Sequence, residues 1–169
     1  MQRATGRRWL TYAVAATAAL AAWLALAGMA SASTYCVQLS PCPQNGSNHA
    51  TLQQALDAAD AHSGVDTIDI GPVTLHDVSS FDASGNPVKI VGRGATRTVL
   101  VGDGPQGAAD GVVRLHEPAS SIEGLTVRVA RGGDRGLYMR GATARQVAVT
   151  TAPQTSADIG VQCEQARSS

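Results

Sequence analysis

From residue 66 onward, apolar and polar side chains alternate with a period of two. The alternation comes in short runs broken by Gly, Asp, Asn and Pro, the pattern of strands joined by turns. Apolar pairs separated by one residue form two ladders. The first is Ile68/Ile70, Val88/Ile90, Val113/Leu115, Leu137/Met139 and Ile159/Val161, with steps of 20, 25, 24 and 22 residues. The second is Val73/Leu75, Val99/Val101, Leu125/Val127 and Val147/Val149, with steps of 26, 26 and 22. Two ladders with nearly equal steps predict a repeated unit of roughly 20–26 residues that stacks on copies of itself. Residues 88–104 are the clearest unit. Two β-branched runs flank Gly92 and Gly94, and Gly102-Asp103-Gly104 closes it. The expected fold is all-β: a right-handed parallel β-helix of about four to five coils.

One stretch has the other period. Over 51–61, Leu52, Ala55, Leu56 and Ala59 fall at i, i+3, i+4 and i+7, a single apolar stripe. Thr51 caps it, with Gln54 at the capping-box spacing, and Gly64 supplies the stop. A helix this short is marginal alone. It is expected to cap the N-terminal end of the stack, with its stripe over Ile68, Ile70, Val73 and Leu75. No equivalent cover follows Val161. The expectation is a truncated stack whose last coil is covered either by sequence missing here or by self-association.

Residues 1–32 carry a different signal. Arg3, Arg7 and Arg8 precede an uncharged apolar run over 10–27, and Ala30-Ser31-Ala32 is a small-x-small cleavage pattern. The expected organisation is a signal peptide over 1–32, an entry segment and capping helix over 33–65, and coils over 66–169. The exported remainder has no membrane span. Its formal charge is −3, because three Arg leave and no acid does. Residues 33–87 hold six acids and no Lys or Arg, whereas 88–145 hold nine bases and five acids. Aromatics are 4% of the chain and hydrophobics 44%, so the core is aliphatic and suits thin repeated layers. Cys36 and Cys42 are close enough to pair in an oxidising compartment. Cys163 is left over, free or awaiting a partner.

With these residues in view, the chain resembles secreted right-handed parallel β-helix proteins of the pectate-lyase-like superfamily. The carriers are Lys89-Ile90-Val91-Gly92-Arg93-Gly94 with Thr98-Val99-Leu100-Val101-Gly102, and Ser121-Ile122-Glu123-Gly124-Leu125-Thr126-Val127. The entry region is similar to a bacterial surface-protein subset with a "CSLREA" segment. Here Ala50 stands in place of its cysteine and Gln53-Gln54 in place of its Arg-Glu. The resemblance covers most of 50–163. It implies a fold and an extracellular or cell-surface location, but not an activity, because this fold carries enzymes, adhesins and passive stalks.

The motifs for chemistry are sparse. Asp103, Asp110 and Asp134 sit singly beside Gly turns, where turn chemistry accounts for them, and no carboxylates cluster for calcium. Glu117 and Glu123 are paired only in sequence, around a corner at Pro118. Gly92-Arg93-Gly94 lacks the third Gly and the following helix of a nucleotide loop. No catalytic residue, metal site or cofactor is expected, and no nucleic-acid partner. The one patch with binding chemistry is Lys89, Arg114, His116, Tyr138 and Arg140. On the first ladder these share one outward face, basic and partly aromatic, suited to an acidic polysaccharide or cell wall. The competing expectation is a solvated face in which Asp69 pairs with Lys89. The function expected is a secreted or cell-surface β-helix module, non-catalytic and polysaccharide-binding. The alternative is the N-terminal part of a polysaccharide lyase or glycoside hydrolase without its catalytic coils.

Overall fold

Among the described residues of this computed structural model, every strand pairing is parallel. The structure describes residues 31–43, 45–76, 80–103, 111–130, 135–151 and 161–164. All belong to one compact unit, Ser31–Ser169. Among the described residues the fold is all-β with one helix. In chain order the elements are β1 (Thr34–Val37), β2 (Ser47–His49), α1 (Leu52–Asp60), β3 (Asp66–Ile70), β4 (Thr74–His76), β5 (Phe81–Ala83), β6 (Val88–Val91), β7 (Val99–Gly102), β8 (Val113–Leu115), β9 (Ser121–Val129), β10 (Leu137–Arg140), β11 (Thr143–Thr151) and β12 (Val161–Glu164). Sheet 1 runs β2-β1-β3-β6-β9-β7-β4, with β11 also paired to β9, and sheet 2 runs β12-β10-β8-β5.

The order of sheet 1 follows from a bend in β9. Its first residues pair with β6 and its last with β7. β11 repeats the bend one layer on and pairs along both halves. Three columns of strands result. One holds β1, β3, β6 and the first halves of β9 and β11. The second holds β4, β7 and the second halves of β9 and β11. The third is sheet 2. From β3 the chain visits them in one fixed order, pass after pass.

The columns place like on like. Tyr35, Ile68, Ile90 and Ile122 align in the first, all buried. Leu75, Leu100, Val127 and Val149 align in the second. Phe81, Val113 and Leu137 align in the third, with Ala83, Leu115 and Met139 two positions on. These rows and the α1 stripe form a single hydrophobic cluster. No single pass buries enough aliphatic surface to offset its own ordering entropy, so stability comes from the stacking.

The first ladder is corrected by this register. Ile68/Ile70 and Val88/Ile90 lie in sheet 1, whereas Val113/Leu115, Leu137/Met139 and Val161 lie in sheet 2. Ile159 falls outside the described residues. The true partner of Ile90 is Ile122, a step ten residues longer than that from Ile68 to Ile90. The extra length includes 104–110, also outside the described residues. The second ladder holds where Leu125/Val127 meets Val147/Val149, but it slips by one at β7, where Leu100 rather than Val99 or Val101 aligns with Val127. A slip of one residue exchanges the inward and outward faces, and aliphatics on both sides of Leu100 conceal it in the sequence.

The corners between the first two columns stack closely. Gly92 N–H donates to Glu123 O (2.9 Å) and Gly94 N–H to Gly124 O (2.7 Å). A Cβ on Gly92 would collide with the Gly124 carbonyl oxygen, so no larger residue fits there without displacement. Gly124 itself has φ +68°, the left-handed region that glycine enters freely. Thr98 is fully buried beside this corner; its Oγ1 donates to Gly71 O (2.9 Å) and accepts from Arg93 N–H (2.9 Å).

Helix α1 forms where its stripe predicted. Thr51 Oγ1 accepts from Gln54 N–H (3.2 Å), and Leu52, Ala55, Leu56 and Ala59 are buried. It ends at Asp60, earlier than Gly64, with Ala61 as its C-cap. Its place differs from the expectation. The edge of β3 is taken by β1, with β2 beyond it, so the entry segment itself supplies strands to sheet 1. The helix packs against β5, the edge strand of sheet 2, as well as β1, β2 and β3. Cys36 and Cys42 form the expected disulfide across the turn after β1, whereas Cys163 is an exposed free thiol in β12.

Candidate functional site

The outward row of sheet 2 gathers four polar side chains. Asp82, Arg114 and Tyr138 occupy equivalent positions on β5, β8 and β10. Neighbouring strands lie about 4.8 Å apart, so their side chains stand beside one another. The Arg114 guanidinium bonds Asp82 Oδ2. His116 follows β8, its N–H held by Ala83 O (3.1 Å). Its Nε2 lies 3.3 Å from Asp82 Oδ1, and its ring stands 5.5 Å from the Tyr138 ring at 49°. Arg140, at the end of β10, is exposed.

Asp82 is itself held from behind. The Gln53 amide of α1 accepts from Asp82 N–H (3.1 Å) and donates to Asp82 O (3.3 Å). A side-chain amide thus does for the edge of β5 what a further strand would do. The sequence shows Asp82 only as one acid among six in the first half. Its place beside Arg114 requires knowing that β5 pairs with β8.

Lys89 is not part of this group. It lies on β6 in sheet 1, and its Nζ is 3.2 Å from Glu123 Oε1. Asp69 pairs with Arg93 (2.6 Å) rather than with Lys89. Arg114, His116, Tyr138 and Arg140 therefore share sheet 2, and Lys89 is separated from them because the first ladder crosses from one sheet to the other.

A second polar cluster has no counterpart in the sequence reading. Asp66 is fully buried at the start of β3. Its Oδ1 accepts from Ser33 N–H (2.7 Å), and His62 Nδ1 lies 3.2 Å from both of its oxygens. His62 Nε2 is 3.3 Å from Ser33 Oγ. Burial pushes the Tyr35 phenol above its ordinary value, and the negative charge of Asp66 adds to this. The order hydroxyl, imidazole, carboxylate is that of an acyl-transfer triad. However, the Ser33 N–H, which in such sites helps to hold the oxyanion, is committed to Asp66. The cluster ties residue 33 to β3. The spacing of His62 and Asp66, four residues apart after a helix, was the only trace of it in the sequence.

A shallow depression of about 410 Å³ beside β2 is lined by Gln38, Leu39, Ser40, Asn48, His49 and Ala50, and no charged groups converge on it. Among the described residues no three His, Cys, Asp or Glu side chains are placed to hold a metal ion. No helix among them is long and apolar enough to cross a membrane. Comparison with protein-family models, curated proteins and solved structures finds no match to this chain.

Proposed function

We propose that the chain is an exported, non-catalytic, right-handed parallel β-helix module that holds an acidic polysaccharide along the outward row of sheet 2. The reading of the fold is supported by the fixed order in which the chain visits its three columns. Export is supported by the pattern over 1–32 and by the Cys36–Cys42 disulfide, since such bonds persist in oxidising compartments. The observation that carries the binding reading is the alignment of Asp82, Arg114 and Tyr138 on adjacent strands, with His116 and Arg140 beside them. Asp82 fixes the plane of the Arg114 fork, and a fixed guanidinium suits a carboxylate or a pair of hydroxyls. Arg140 adds exposed positive charge. A repeating sugar acid lying across the strands would meet one polar side chain per rung.

The test is retention on immobilised polygalacturonate. The native protein is expected to be retarded and released by salt. Arg114→Ala with Arg140→Ala is expected to weaken retention roughly fivefold to tenfold, as loss of charge-assisted contacts does. Lys89→Ala, in the other sheet, is expected to leave it unchanged. Equal retention of the double variant and the native protein would end the proposal. Incubation with pectate and Ca²⁺ is expected to yield no unsaturated product.

A further inference from the structure

We propose that hydrolysis of the Ala32–Ser33 bond converts the Ser33 nitrogen into an ammonium group that pairs with the buried Asp66 carboxylate and fastens the start of the fold. The inference rests on the export reading above and adds to it the fate of the new chain end.

Two independent observations meet at residue 33. The small-x-small pattern Ala30-Ser31-Ala32 places the scissile bond after Ala32. Among the described residues, Ser33 is the first that is tethered. Ser31 and Ala32 are exposed and belong to no strand. Ser33 O accepts from Thr67 N–H (2.8 Å), and Ser33 N–H donates to Asp66 Oδ1 (2.7 Å). The bond to be cut thus lies directly outside the ordered pairing, within reach of a peptidase.

The carboxylate lacks a permanent counter-charge. Asp66 is fully buried, yet residues 33–87 contain no Lys or Arg. Its one ion pair among the described residues is with His62, whose side chain is 35% exposed and which is cationic only when protonated. A buried carboxylate is costly without a charged partner. The Ser33 nitrogen is already at hydrogen-bonding distance, so a positive charge placed there needs no rearrangement. His62 keeps both Asp66 oxygens on one side, and the Tyr35 hydroxyl, bonded to Ala58 O (3.3 Å), stays neutral.

The step consumes one water. The Ala32–Ser33 C–N bond breaks; the Ala32 carbonyl carbon takes the OH and the Ser33 nitrogen takes the hydrogen. At neutral pH the new acid releases a proton and the new amine binds one. The departing segment ends in a carboxylate, and the remaining chain begins with an ammonium group. The catalyst is a peptidase that selects small residues at the first and third positions before the bond.

The experiment has two arms. In the first, the full chain is exported from a bacterial host and its N-terminus is read by mass spectrometry; Ser33 is expected. Any other start overturns the processing step and, with it, this use of the export reading. In the second, which needs no export, a fusion cleaved directly before Ser33 is compared with one that retains Ala32. The Ser33 form is expected to melt roughly 3–8 °C higher, the shift anticipated when a neutral hydrogen bond becomes charge-assisted in a domain of this size. Asp66→Asn is expected to abolish the difference. Equal melting of the two native-sequence forms, or a difference that survives in Asp66→Asn, refutes the ion pair. If Asp66→Asn does not fold, Nα-acetylation of the Ser33 form removes the charge while keeping the carboxylate. The acetylated form is expected to melt with the Ala32-retaining one, and melting with the free amine refutes the pair. Ser33→Ala, which loses the contact with His62 Nε2, is expected to keep the melting difference between the free-amine and Ala32-retaining forms, because the pair uses the nitrogen and not the hydroxyl. Loss of that difference refutes the pair.

Discussion

The two sheets meet the start of the chain in different ways. In sheet 1 the edge of β3 is covered by β1, and β1 by β2, so backbone pairs with backbone. In sheet 2 the edge of β5 is covered by α1, and the pairing is made by the Gln53 amide on the N–H and C=O of Asp82. Asp60, at the C-terminal end of the helix, adds to this: its Oδ1 accepts from Gly85 and Asn86 N–H (both 2.9 Å), holding the turn after β5. An uncovered strand edge leaves polar backbone groups unmatched and invites pairing with other chains. Strands solve this anywhere along an edge. A helix solves it only where a polar side chain of the right reach projects from its flank, while its apolar face fills the layer beneath. Here one short helix does both jobs, with Leu52 and Leu56 below and Gln53 at the edge.

The largest effect is expected from removing the anchor of the helix. Leu56 is 2% exposed, and Leu56→Ala should cost about 2–5 kcal/mol in chemical denaturation, with faster hydrogen exchange in β5 than in β1. Uniform acceleration through both sheets would show that the two edges are not separately supported. Next is the sheet 1 edge. Replacing Cys36 and Cys42 together with Ala opens a short loop and should cost about 2 kcal/mol, with exchange increased in β1 and β2. Smaller again is Gln53→Ala, which leaves two backbone groups of Asp82 without their partner and should cost about 1–2 kcal/mol. The Asp82 amide should then exchange markedly faster while the helix remains formed by circular dichroism. Gln53→Glu keeps an acceptor for Asp82 N–H but sets a carboxylate against the Asp82 carbonyl and against Asp57, whose Oδ1 accepts from the native Gln53 amide (2.8 Å). It should cost at least as much as Gln53→Ala.

Much of this was legible in residues 51–61 and little of it elsewhere at the edges. The stripe Leu52, Ala55, Leu56 and Ala59 is a local pattern, and each member is buried as its spacing requires. Gln53 gave no such signal, because its role depends on a strand 29 residues away. The same division runs through the outward row. Arg114 and Tyr138 were recognisable as outward positions on alternating strands. Asp82 was not recognisable as their neighbour, and Lys89 was wrongly placed with them, because β6 and β8 read alike but belong to different sheets. Ser33 and His62 had no periodic pattern to mark them.

Alternation, turn residues, the helix stripe and the Cys36–Cys42 pair are each specified within a few residues, and so the sequence alone determined a parallel-strand repeat with one helix. Which strands lie side by side was decided only by the tertiary structure. The physical reason is that a two-residue period tells inward from outward but counts no layers. Passes of unequal length, such as the longer step from Ile90 to Ile122, set the register through turns that carry no period of their own. The contacts that depend on register followed from it: Gln53 on Asp82, Arg114 on Asp82, and Ser33 on Asp66.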